Sequence, residues 1–86
     1  MPRDDWREVL AQMYLRRGYL DSAADEWLAA AQERPTARAF VGLAQVAVAR
    51  ELDDDAAVFA QHALALDPAA EPAQRLLDAL RERTAA

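Results

Sequence analysis

Few side chains in this chain can do chemistry, and their spacing keeps them apart. His62 is the only histidine, and its neighbours one helical turn away, Val58, Phe59, Ala65 and Leu66, bring no metal ligand. A zinc site needs about four ligands, so His62 reads as a surface histidine. Asp53, Asp54 and Asp55 form an acidic run. A calcium loop alternates its ligands and needs a Gly at a sharp turn, and neither is present. Carboxylates at the start of a helix are favoured by its dipole, which accounts for the run without an ion. Ser22 is the only serine and has no base beside it in sequence, whereas a nucleophilic hydroxyl needs an adjacent base. Gly18 and Gly42 are the only glycines, so no phosphate-cradling loop exists. The absence of cysteine excludes disulfides and thiolate metal sites. No catalytic role can be filled, and we expect no enzyme activity, no cofactor and no metal.

The composition points instead to a helical scaffold. A chain of 86 residues is one small domain, which buries only about 60% of its unfolded surface. Ala is the commonest residue, Leu, Arg, Glu and Gln are also frequent, and all form helices readily. Val and Thr are few and Ile is absent, so a sheet has little to be built from. Lys and Asn are also missing, a bias that fits a GC-rich coding sequence. The net charge is −5, and the ten cations, all Arg, are scattered among fifteen acids. That balance excludes nucleic acid as a partner, since its recognition rests on clustered cations. The N-terminus is polar and acidic, unlike a signal peptide. The longest apolar stretch, 39–49, is interrupted by Gln45 and is far too short to cross a bilayer. We expect a cytoplasmic protein without a membrane partner.

Periodicity predicts five helices. The first spans about 5–17, with Asp5 and Glu8 at capping-box spacing and an apolar stripe of Trp6, Val9, Leu10, Met13 and Tyr14. Gly18 should end it in a left-handed conformation. The second spans about 20–33, with Ala23, Trp27, Ala30 and Ala31 facing inward, and Pro35 stops it. Thr36 should cap the third, which runs to about residue 50 and is apolar almost all round, hence the most buried. The fourth spans about 54–66. The fifth spans about 72–83, with Pro72 in its first turn, an apolar edge of Leu76, Leu77 and Leu80, and a polar outer side.

These helices repeat. Leu10 and Ala11 recur 33 residues later as Leu43 and Ala44, Ala23 as Ala56, Ala30 as Ala63 and Pro35 as Pro68. Leu43 recurs once more as Leu76. A fixed period of this length is the mark of a solenoid of stacked helix pairs, which offers a surface rather than a catalytic centre.

The repeats resemble the tetratricopeptide (TPR) motif, W-x2-L-G-x2-Y…A-x3-F…P. The first copy reads Arg7-x2-Leu10-Ala11-x2-Tyr14…Ala23-x3-Trp27…Pro35, and the second Phe40-x2-Leu43-Ala44-x2-Ala47…Ala56-x3-Ala60…Pro68. A third half-copy looks like the solvating helix that closes such arrays. The resemblance implies an all-α, right-handed superhelical solenoid of five antiparallel helices, divided as 4–36, 37–69 and a capping helix at 70–84. Some positions depart from the pattern. Arg7 stands in place of Trp, with Trp6 beside it to take over by a small rotation. Glu51 replaces the turn Gly. Ala47 and Ala60 replace aromatics, with Phe59 placed to refill the volume.

In TPR arrays the first helix of each pair lines a concave groove. Carried over by phase, the groove would be formed by Asp5, Glu8, Gln12, Leu15 and Arg16 from the first helix. The third would give Arg38, Val41, Gln45 and Val48, and the fifth Glu71, Gln74, Asp78 and Arg81. Gln12 and Gln45 would bond a peptide backbone, and Leu15, Val41 and Val48 would receive an apolar side chain. The plain alternative is that Val41 and Val48 pack against neighbouring helices. The Lys-Asn-Arg clamp that some TPR co-chaperones close on a carboxylate cannot form, since Lys and Asn are absent. The function this implies is binding of a peptide or partner protein. The alternative is self-association as a homo-oligomer, or a place in a larger array or enzyme, with Trp6 and Met13 on the associating face.

Overall fold

A computed structural model describes the backbone of residues 3–85 and the side chains of residues 6–84. Five helices account for nearly all of it: α1 (Arg3–Arg16), α2 (Leu20–Glu33), α3 (Ala37–Ala49), α4 (Asp53–Leu66) and α5 (Glu71–Ala85). No strand occurs among the described residues, so the chain is all-α. Asp5 lies inside α1 rather than at its cap, because the helix begins at Arg3.

Helix ends follow their residues. Gly18 has φ +80, its N–H donates to the Leu15 carbonyl, and the N–H of Tyr19 donates to the Tyr14 carbonyl. This is a Schellman ending, and the rings of Tyr14 and Tyr19 lie 6.4 Å apart beside it. The same ending recurs 33 residues on, where Glu51 donates to Val48 and Leu52 to Ala47. Glu51 takes the left-handed conformation there with φ +61, although it carries a Cβ. Thr36 caps α3 through its side-chain oxygen, 3.1 Å from the amide nitrogen of Ala39.

Connections of three or four residues return each helix along its predecessor. Each helix packs on the next, and α3 also touches α1 and α5, whereas α2 and α4 do not meet. The helices α1, α3 and α5 therefore lie side by side along one side of a slab measuring 42 × 27 × 16 Å. The middle helix is the most buried, through Ala39, Gly42, Leu43, Ala44, Val46 and Ala47.

Alanine sets the spacing of this core. Ala11, Ala23, Ala39, Ala44, Ala56, Ala60, Ala63 and Ala73 are wholly buried, and a methyl group lets two helix backbones approach closely. Trp27 is 1% exposed and fills the space between α1, α2 and α3. Its ring lies on Gly42, where a Cβ would sit 2.7 Å from Cζ2 and closer still to Cδ2 and Cε2. The next interface reverses the sizes: Ala60 stands at the Trp27 position, opposite Leu76 and Leu77. Phe59 packs against all three core clusters and refills part of the volume.

Two expectations are corrected. Trp6 does not take over a core position and is 56% exposed; Arg7 instead reaches Glu26 at 3.3 Å and Glu33 at 3.0 Å, tying α1 to α2. The buried counterpart of Leu43 in α5 is Leu77, not Leu76. The connection before α5 holds four residues, against three before α3, so α5 runs one residue later. Ala73, Leu77 and Leu80 then match Ala39, Leu43 and Val46 at a step of 34, and all six are buried.

Candidate functional site

Two hollows open along α1, α3 and α5. The first, about 830 Å³, is lined from α1 by Glu8, Val9, Gln12, Met13 and Arg16, with Arg17 just beyond its end. Arg38 of α3 and Trp27 of α2 complete it. Glu8, Gln12 and Arg16 fall there because residues four apart share a helix face. Arg38 donates to Glu8 across 3.0 Å, a link between α1 and α3. Arg16 and Arg17 are exposed and make no ion pair among the described residues. The wall is thus mixed: the methylenes and thioether of Val9 and Met13, an amide at Gln12, and unpaired guanidiniums at one end.

The second hollow, about 570 Å³, lies between α3 and α5 and is lined by Gln45, Val48, Leu76, Ala79, Leu80, Glu82 and Arg83. The Oε1 of Gln45 is buried and accepts no hydrogen bond. A buried acceptor without a donor carries a desolvation cost of about 1–3 kcal/mol, which a ligand N–H placed there would offset.

Of the residues expected at a groove, Glu8, Gln12, Arg16 and Arg38 come together in the first hollow, and Gln45 and Val48 in the second. Leu15 and Val41 are half-buried and pack against core clusters instead. The side chain of Asp5 lies outside the described residues. Gln74 and Arg81 are exposed but line neither hollow, and Gln74 bonds Asp78 on its own helix. The extra residue before α5 is the cause: at a step of 34, Gln45 and Val48 correspond to Ala79 and Glu82, which do line the hollow. Asp78 and Arg81 correspond to Ala44 and Ala47, which α4 covers; no helix among the described residues covers them in α5. Counting residues from each Pro to the next apolar run would have exposed the shift.

His62, Asp53 and Ser22 line neither hollow. His62 is exposed and stacks on Phe40 with ring centroids 5.4 Å apart. Asp53 is held by Arg83 at 2.6 Å. Ser22 is exposed on α2. No group of three or more potential metal ligands exists among the described residues. No helix of the described chain is long and apolar enough to cross a membrane. Comparison of the chain with family models, curated proteins and solved structures finds no match.

Proposed function

We propose that this chain is a non-enzymatic, TPR-like module of the cytoplasm that binds a peptide or a segment of a partner protein along α1, α3 and α5. One observation carries the reading: two hollows open on the side where these three helices lie together, and polar side chains of matching phase, Gln12 and Gln45, stand one in each. Their amides can donate to and accept from an extended backbone, and Arg16 adds a charged donor for a carboxylate. The recurrence of buried alanines and of the Schellman ending at 33 residues supports a repeat of two-helix units. The resemblance of the sequence to the TPR motif supports the choice of face.

The test is selection of a random peptide library on the full chain, followed by titration of the selected peptides. Gln12→Ala with Gln45→Ala should weaken binding about tenfold without lowering the melting temperature, since the change at 45 removes the buried Oε1 that has no donor. A library that yields no binder, or binders indifferent to both glutamines, refutes this assignment.

A further inference from the structure

The helices α1, α3 and α5 each carry the same three-position face, and α1 alone leaves it open. In α3 the face is Ala39, Gly42 and Val46, buried against Ala23, Trp27 and Ala30 of α2. In α5, one residue later, it is Ala73, Leu76 and Leu80, packed with Ala56, Ala60 and Ala63 of α4. In α1 the corresponding residues are Trp6, Val9 and Met13, which are 56%, 50% and 41% exposed. No helix among the described residues precedes α1 to cover them.

A second feature accompanies the first, its two instances offset from strict register by one residue on each helix. Arg50, at the C-terminal end of α3, pairs with Asp21 in the first turn of α2, the helix that covers α3. Arg83 of α5 pairs with Asp53 in the first turn of α4, the helix that covers α5. Arg17 holds the position of Arg50 at the end of α1, is exposed, and has no acid among the described residues. The apolar face and the unmatched cation therefore ask for the same object.

We propose that Trp6, Val9, Met13 and Arg17 form a docking site for one amphipathic helix of a partner protein, bearing a carboxylate in its first turn and small residues facing α1. The two internal interfaces define the residue opposite Val9. Trp27 fits over Gly42 because no Cβ stands there, whereas Leu76 is met by Ala60. Val9 has a branched side chain, so the docked helix must carry alanine, as α4 does, and not tryptophan, as α2 does. This site shares Val9, Met13 and Arg17 with the first hollow and differs from the peptide reading in its centre, at Trp6. Both readings predict ligand contacts at Val9 and Met13; the docked helix alone covers Trp6, and the groove peptide alone meets Arg38 and Gln45.

The probe is a synthetic copy of residues 52–67, held helical by a lactam between Gln61→Glu and Ala65→Lys, both on the solvent side of α4. Added to the 15N-labelled full chain, it should shift the Trp6 indole signal and the amides of Val9 and Met13. Arg17→Ala should weaken binding about two- to fivefold, the span of an exposed ion pair. The Ala60→Trp peptide should fail on the wild-type chain and bind the Val9→Gly variant, which restores the Gly42 geometry. Absence of shifts on α1, shifts confined to Arg38 and Gln45, or equal binding of both peptides overturns the proposal. Light scattering of the chain alone as a dimer that Trp6→Ala dissociates overturns it too, because a second copy would then be the occupant.

Discussion

Replacing Gly42 by alanine sets two effects of opposite sign against each other. In an exposed helix interior, alanine is better than glycine by about 0.5–1 kcal/mol, so propensity alone makes Gly42→Ala stabilising. Packing says otherwise. The new Cβ would lie 2.7 Å from Cζ2 of Trp27 and closer to two other ring atoms, where carbon atoms rest at about 3.5–4.0 Å. The ring must move by roughly 1 Å or more on that scale. Trp27 is 1% exposed and packs with Ala11, Ala23, Ala39 and Leu43, so the only space open to it is the first hollow, and moving there gives up that packing. Overpacking of this kind costs about 1–3 kcal/mol, and the net should remain destabilising. Trp27→Ala alone should cost about 3–5 kcal/mol through the lost burial and the cavity. If the two costs added, the double variant would lose most of a stability of about 5–10 kcal/mol. They should not add, because without the indole the Cβ of residue 42 meets no ring and the propensity gain returns. The double variant should then equal or exceed Trp27→Ala in stability, a coupling of about 2 kcal/mol or more in the double-mutant cycle. Urea unfolding followed by far-UV circular dichroism measures all four corners. A stabilised Gly42→Ala variant, or strict additivity, would show that Trp27 does not lie on Gly42.

Two further outcomes test the local geometry. Glu51 pays for a left-handed backbone that Gly18 adopts freely, so Glu51→Gly should raise stability by up to about 1 kcal/mol and Gly18→Ala should lower it by about 1 kcal/mol, both read from thermal melts. If Glu51→Gly destabilises, the second Schellman ending is not as described. The register of α5 is tested by Leu77→Ala, which should cost about 2–5 kcal/mol, against a smaller loss for the half-buried Leu76→Ala. A larger loss at Leu76 in chemical denaturation restores the 33-residue phase that repetition alone suggested.

The sequence by itself determined the five helices and most of their ends, the start of α1 excepted, because those are local matters. Alternation at three and four residues, Gly18 in its turn, Thr36 as a cap and Pro35 as a stop each act on neighbouring backbone, and the structure places α2 where they put it. It also identified Trp27 as core and α3 as the central helix, since an element apolar on every side has only one place to be. What it could not decide was which way each helix turns its faces. Trp6 and Leu10 look equally apolar, yet burial depends on whether another helix lies opposite, and none among the described residues lies opposite Trp6. The register of α5 turned on one additional residue in a connection, a change that leaves composition untouched but rotates a helix by about 100°. Gln74 and Arg81 moved away from the hollow for that reason, and Ala79 and Glu82 came to line it. The exchange of Trp27 over Gly42 for Ala60 beside Leu76 belongs to the tertiary structure as well. Each residue is ordinary in its own helix, and only two backbones brought close together make the size of one a condition on the other.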